Sequence, residues 1–271
     1  MPIRFGSEPG SLGGVDKVYV GSDLVWPVST LWTPEQFGAD LLVWLDLQDV
    51  ATLTVNGSSR MDGIANKGSL GGSLLAQATN RPIYGATYRN GLPAIFNDNT
   101  WDNGLAASIG ASLPAGDAAS TMVGVGWMTV NDGAASALMN WGDLNSVLSY
   151  RWIVGYFGDL YGDYGGSGPQ GGNPWVNVDR VASYEHEPGT NYATESGADF
   201  TPVAEDVLTT TTAQQLQILR APNVGMQEAM ILSRKLTSDE RLKLHGYLHH
   251  KWGLTANLPG AHPYKSAAPT V

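Results

Sequence analysis

The sequence predicts an all-β protein, a sandwich or barrel of short strands with one helix near its C-terminal end. Among its 271 residues are 34 Gly and 15 Pro, and only 15% are charged. Short apolar runs cut by Gly, Asn, Asp and Pro are the pattern of many strands joined by turns. The exception is the stretch from Gly225 to Tyr264. There Ala229, Ile231 and Ser233 alternate with Met230, Leu232 and Arg234, as a strand with a buried face requires. Thr237 and Glu240 then have the spacing of a capping box, in which each side chain satisfies a backbone N–H that the helix cannot. Leu244, Leu248 and Trp252 form one apolar stripe, while Glu240, Arg241, Lys243 and Lys251 fall toward the opposite side. Gly253 ends the helix as its C′ residue.

From the N-terminus, residues 1–14 carry Gly6, Pro9, Gly10, Gly13 and Gly14 and too little apolar content to pack alone, so an extended arm is expected. From Val15 to Pro27 two β-prone runs flank Gly21-Ser22-Asp23, which predicts a hairpin. A lone hairpin is marginal in water. It must therefore dock on its own domain, on a symmetry mate, or on a larger assembly; in the last case Val18, Tyr19, Val20, Leu24 and Trp26 are the attachment candidates. Pro27 to Pro34 interrupts the pattern and sets a boundary, dividing the chain into 1–30 and 31–271. Pro34 opens a short helical turn.

Leu41 to Asp46 is a near-continuous apolar run and a core strand. Leu53 to Val55 leads into an Asn56-Gly57 turn, and Met61 to Asn66, Leu74 to Gln77, Arg81 to Tyr84 and Gly91 to Phe96 are further strand candidates. Thr121 to Met128 has small residues on alternate positions, so something packs closely against it. Ala137 to Trp141, Leu148 to Ile153, Val176 to Tyr184 and Gln215 to Leu219 complete the strands, and Thr209 to Thr212 reads as a loop edge. Between Tyr156 and Trp175 lies a long Gly-rich connection, of the kind that often forms a binding loop or an interface.

The order of motifs resembles a known family. Trp32-Thr33-Pro34, Trp44-Leu45-Asp46, Asn66-Lys67-Gly68, Asn80 to Tyr84 and Asn90 to Phe96 look like the concanavalin A-like (LamG-like jelly-roll) lectin/glucanase domains of phage and bacterial surface proteins. The closing segment, Leu236-Thr237 to Glu240-Arg241, then Lys251 to Leu254, then Leu258-Pro259 to His262-Pro263-Tyr264, is similar to theirs as well. The resemblance covers about residues 31 to 265 and implies a two-sheet antiparallel jelly-roll sandwich with a C-terminal capping helix. The Lys17 to Trp26 hairpin resembles those near the termini of tailed-phage structural proteins.

In the Gly-rich connection, Tyr161, Asp163, Tyr164, Asn173 and Trp175 are the candidate glycan-binding residues. Sugar C–H faces stack on aromatic rings, and sugar hydroxyls donate to carboxylates and amides. The competing expectation is that these aromatics cover a loop or a subunit interface. No cofactor is expected: Asp159 and Asp163 make calcium the one cation to consider, yet two carboxylates are not a site. The five histidines do not have the spacing of a zinc site. Enzymes of the wider glucanase superfamily set two carboxylates on one strand face. Their pattern resembles Glu-x-Asp-x-x-Glu or Glu-x-Asp-x-Glu, which this chain lacks; the nearest pair is Glu185 and Glu187, followed by Pro188. No catalytic residue is therefore assigned.

A formal charge of −10 argues against nucleic acid and anionic membranes as partners. Without cysteine there is no disulfide framework. Met1 to Gly10 has no apolar h-region, and no run reaches the length of a membrane span, so synthesis in a host cytoplasm is expected. The function expected is that of a virion structural protein, a head or tail fibre, spike or decoration subunit, with its lectin-like domain on the virion surface. Its partners would be other virion proteins and a cell-surface glycan, in a homo-oligomer that analogy makes a trimer. A glycan-cleaving enzyme and a bacterial surface adhesion module are the alternatives.

Overall fold

The structure is a computed structural model describing residues 3–6, 17–20, 23–27, 30–77, 81–98, 104–107, 112–130, 136–141, 150–156, 159–164, 169–171, 175–204, 215–219 and 222–271. Its strands begin with β1 (Ile3–Gly6), β2 (Lys17–Val20), β3 (Asp23–Pro27), β4 (Leu41–Asp46), β5 (Leu53–Val55), β6 (Met61–Ala65) and β7 (Ser73–Ala76). They continue with β8 (Ile83–Arg89), β9 (Leu92–Asn97), β10 (Leu105–Ala107), β11 (Ser120–Met128), β12 (Ser136–Trp141), β13 (Tyr150–Tyr156) and β14 (Asp159–Tyr164). The last are β15 (Gln170–Gly171), β16 (Arg180–Glu187), β17 (Thr190–Glu195), β18 (Ala198–Asp199), β19 (Val203–Ala204), β20 (Leu216–Ile218) and β21 (Val224–Leu232), followed by helix α1 (Ser238–Lys251). No described helix is long and apolar enough to cross a membrane.

Two antiparallel sheets make a sandwich. The first runs β15-β14-β13-β12-β20-β10-β7-β6-β5, the second β18-β17-β16-β11-β21-β9-β8, with β19 on β17 and β4 on β21. β21 is long enough to pair with β9 through Val224–Met226 and with β4 through Glu228–Leu232, so two strands share one of its edges. Between the sheets lie Met61, Ile64, Leu74, Leu105, Leu138 and Ile218 from one side and Met122, Met226 and Ile231 among those from the other. The small residues of β11 have the expected purpose: a Cβ on Gly126 would stand 2.5 Å from Leu138 Cδ1, across the sandwich.

Helix α1 lies on the second sheet's other face, away from the first. Thr237 accepts from the Glu240 N–H and the Glu240 carboxylate accepts from the Thr237 N–H, so the capping box forms as expected. Leu244, Leu248 and Trp252 are fully buried. Arg241 and Lys251, expected on the side opposite the stripe, lie instead on the helix's buried face, three residues before Leu244 and three after Leu248. Their side chains are only 14% and 11% exposed, because both snorkel to carboxylates on the strands beneath. After the helix the chain returns across it as a strap. Lys265 Nζ donates to the carbonyls of Thr255, Ala256 and Leu258, and His250 Nε2 meets the Tyr264 carbonyl at 2.9 Å.

Two of the motifs carrying the resemblance, Trp44 to Asp46 and Asn66 to Gly68, tie strands and loops together. Asn66 Oδ1 accepts from the N–H groups of Trp44 and Gly68, and its Nδ2 donates to the carbonyls of Leu42 and Gly71. Lys67 bridges Asp46 and Asp49.

Four segments differ from expectation. The arm supplies β1, which pairs with β2, so the predicted hairpin of β2 and β3 is part of a three-stranded sheet. The connection from Tyr156 to Trp175 holds β14, antiparallel to β13; glycine-rich sequence concealed a strand whose partner lies next to it in the chain. The strand expected from Val176 starts only at Arg180, since Asn177 takes a left-handed conformation with φ of 58° and turns the chain. Thr190–Glu195 forms β17, paired with β16 across the Pro188-Gly189 turn. Thr209 to Thr212 lies outside the described residues.

One glycine has a measurable consequence. Phe96 on β9 and Trp127 on β11 both pair with Gly225 of β21, and a Cβ there would meet the Trp127 ring at 2.1 Å. Gly225→Ala is expected to destabilise by about 1–3 kcal/mol through overpacking, read as a lower urea midpoint at unchanged slope.

Candidate functional site

A cleft opens where β17 and β18 meet the start of α1. It has a volume of about 440 Å³ and is lined by Tyr192, Thr194, Asp199, Phe200, Lys235 and Arg241, among others. A smaller recess of about 100 Å³ shares Thr194, Asp199 and Arg241 and continues it toward Gly197. Sheet pairing sets these residues in place. Glu185 on β16 is opposite Tyr192 on β17, and Thr194 is opposite Asp199 on β18.

Two chains of hydrogen bonds cross the cleft. Thr194 Oγ1 donates to Asp199 Oδ1 at 2.7 Å, and Arg241 joins Asp199 Oδ2 at 3.2 Å to Glu185 Oε1 at 3.0 Å. The other Glu185 oxygen accepts from the Leu236 N–H at 3.1 Å. In the second chain Glu187 accepts from the Tyr192 hydroxyl and from Lys235 Nζ, and that ammonium stands 3.4 Å from the centre of the Tyr192 ring. Burial pushes the Glu185 carboxyl up, against the pull of Arg241. The Lys235 and Tyr192 bonds hold Glu187 below its usual range. Although burial alone would lower Lys235, its bond to Glu187 keeps the ammonium above its ordinary value.

One raised and one lowered carboxyl on a single strand face is the signature of an acid and base pair. Here the geometry opposes it, because Glu185 is fully buried and both its oxygens are occupied. The arrangement can instead offer a ligand a tyrosine ring, a phenylalanine and fixed donors and acceptors on two sides. Such a mixture of apolar faces and convergent polar groups suits a hydroxyl-rich molecule.

The glycan candidates read from the sequence do not assemble here. Trp175 is fully buried and donates its indole N–H to Glu195 at 3.1 Å, so no ring face is open to a sugar. Tyr161, Asp163 and Tyr164 lie on β14 opposite Ile153, Arg151 and Tyr150, described by backbone alone, as is Asp159. Asn173 lies outside the described residues. The attachment candidates are placed by backbone register: Val18 opposite Phe5 and Trp26, Tyr19 opposite Arg4 and Leu24, and Val20 opposite Ile3 and Asp23. His186 is buried beside Asn191 at 2.9 Å. No three potential metal ligands converge among the described residues. The cleft residues escaped sequence reading because β17 was not anticipated. The one available signal was the Glu185 and Glu187 spacing, which marks the strand face they share.

No protein-family model and no curated protein matches the sequence. Solved structures do resemble the fold. Trypanosoma rangeli sialidase in complex with sialic acid superposes with a TM-score of 0.55 at 12% identity, over 83% of this chain and 36% of that one. The binding domain of botulinum neurotoxin serotype G gives 0.52 at 8% identity, over 80% of this chain and 51% of that one. The serotype D binding domain gives 0.51 at 5% identity, over 75% and 50%. This chain thus spans about a third of the sialidase and half of each toxin domain. At such identities the likeness is one of fold: the protein is a two-sheet antiparallel β-sandwich.

Proposed function

We propose that this protein is a glycan-binding module of a virion structural protein, a head or tail fibre, spike or decoration subunit. The observation that carries glycan binding is the cleft beside α1, where the Tyr192 ring and Phe200 adjoin Thr194, Asp199, Lys235 and Arg241. Support also comes from the similar folds, one of which holds sialic acid and two of which are binding domains. Attachment to the particle, at its surface, is assigned to the N-terminal sheet, whose strands belong to neither layer of the sandwich. Its partners there would be other virion proteins, with trimeric assembly proposed by analogy.

Binding is preferred over cleavage because Glu185 is fully buried beneath Arg241 and the Leu236 N–H, out of a substrate's reach. A glycan array probed with the wild type, Tyr192→Ala and Asp199→Asn tests the site. Each variant is expected to weaken the bound glycan about tenfold, the loss of a stacking ring or a charged hydrogen bond. Equal binding by all three would reject the cleft. Release of reducing ends that stops in Glu187→Gln would replace binding by catalysis, and absence of the chain from purified particles would remove the virion assignment.

A further inference from the structure

We propose that Tyr88 is the exposed top of a second carbohydrate site, a stacking platform for the apolar face of a neutral pyranose. It lies apart from the cleft and stands whether or not the cleft binds glycan. The second sheet's outer face is covered at one end by α1, over Ser183, Glu185 and Glu228, and at the other by three aromatic rings. Phe96 and Trp127 meet over Gly225 with centroids 6.1 Å apart and planes within 9°. Tyr88 lies across both, 6.0 Å from each and tilted by 24° and 30°.

Edge strand β8 sets Tyr88 there. Between Gly85, opposite Ala94, and Arg89, opposite Leu92, it carries more residues than its partner, and the surplus folds the Tyr88 side chain back over Gly85. Trp127 is 1% exposed, Phe96 8% and Tyr88 43%, so two rings are the foundation and the third is the accessible surface. A ring backed by two others is held rigid, and a sugar stacking on it orders little further.

The charges around the platform select the ligand. Arg60 pairs with Asp98 through two bonds of 3.0 Å, and both side chains are about a third exposed. Asp98 follows two residues after Phe96 of the stack, and burial together with its carboxylate pushes the Tyr88 phenol up. On the other side Arg89 joins Asp179 at 2.9 and 3.0 Å and stands 5.0 Å from the centre of the Trp127 ring, while Asn90 donates to Asp179 at 2.8 Å. Each guanidinium is cancelled by its own carboxylate, so the surface has no net attraction for an acidic sugar. Asp98, with one bond to each oxygen and its side chain 28% exposed, keeps lone pairs for hydroxyl donors. An aromatic face ringed by balanced hydrogen-bonding groups matches an uncharged hexopyranose.

Saturation transfer difference NMR tests this, with methyl β-D-galactopyranoside, methyl α-D-glucopyranoside and methyl α-D-mannopyranoside as probes. The wild type and Tyr88→Phe are expected to saturate the ring C–H protons of at least one glycoside. Tyr88→Ala should bind it about tenfold more weakly, and the cleft variant Tyr192→Ala should leave this Tyr88-dependent signal unchanged. Absence of transfer to all three glycosides, or equal transfer in Tyr88→Ala, overturns the proposal. If Tyr88→Ala does not fold, Asp98→Asn leaves the three rings in place and should still weaken the signal. An unchanged signal there also overturns it.

Discussion

Replacing Glu228 by alanine is expected to destabilise the protein by about 3–5 kcal/mol, the cost of leaving a buried charge without its partner. Glu228 is fully buried on β21 beneath α1. Its Oε1 accepts from the Trp44 indole at 2.7 Å, and its Oε2 from the Trp252 indole at 2.6 Å and from Lys251 Nζ at 2.8 Å. Lys251 also meets Asp46 at 2.7 Å, so β21, β4 and the end of α1 are tied at one point. Alanine would leave two indole N–H groups and part of an ammonium charge unsatisfied in the interior. Glu228→Gln keeps an acceptor and should cost less. Combining Glu228→Gln with Lys251→Met should cost less than the two single changes together, because each removes the other's stranded charge. Urea midpoints measure all of these, and a Glu228→Ala midpoint equal to that of the surface variant Asp239→Ala would refute the argument.

Acidification from neutral pH toward pH 4 is expected to loosen the seam between α1, the β17–β18 turn and the C-terminal strap. His245 is fully buried: its Nδ1 accepts from the Gly197 N–H at 3.1 Å, and Nε2 faces Ser183 Oγ at 3.1 Å. His249 Nδ1 meets the His245 carbonyl at 2.7 Å, and its Nε2 is buried without a hydrogen-bond partner, as is that of His262. Burial lowers His245 well below the ordinary value, His249 to about 4, and His262 as well. The charged groups acting on these rings, Arg241, Lys265 and His250 besides one another, all oppose a further proton.

A histidine depressed in the folded state contributes stability that is complete above its unfolded value near 6.5. It is lost as pH falls from there to the folded value. For His249 the loss between pH 6.5 and 4 is about 3 kcal/mol, with His245 adding to the slope. Glu185 and Glu228, pushed up by burial, take up protons first in the folded protein and oppose the loss at its acid end. Glu240, held down to about 2 by Arg234, contributes only below pH 4.5. Urea midpoints measured between pH 7 and 4.5 should fall, and His249→Leu should flatten the curve. A flat wild-type profile would show that the imidazoles do not control the seam.

Much of the fold could be read from residue order, and little of the cleft. Strands β4, β6, β9, β11 and β21 came from runs with clear periodicity, and α1 from a capping box and a stripe of Leu244, Leu248 and Trp252. Their signals are local, since a period of two or a cap depends on neighbours in sequence. β14 and β17 lacked such signals, as glycines and mixed polar residues gave them no apolar alternation. Without these strands the Gly-rich connection and Trp175 stand out in the sequence, yet Trp175 is core.

Arg241 and Lys251 show the limit most directly. They are expected opposite the apolar stripe, yet Arg241 is three residues before Leu244 and Lys251 three after Leu248, so the helical period puts both on the buried face, where they reach Glu185 and Glu228. No local pattern reports that Glu185 lies under residue 241, 56 positions away, or that Glu228 receives Trp44 from 184 positions away. Sequence alone determined the all-β class, the hairpin near the N-terminus, the capped C-terminal helix and the lack of any thiol chemistry. Tertiary structure decided which polar groups are buried against one another, where the Tyr192 cleft opens and why Tyr88 stays exposed. These follow from strand register and from the crossing of α1 over the second sheet, and both are set by packing between distant segments.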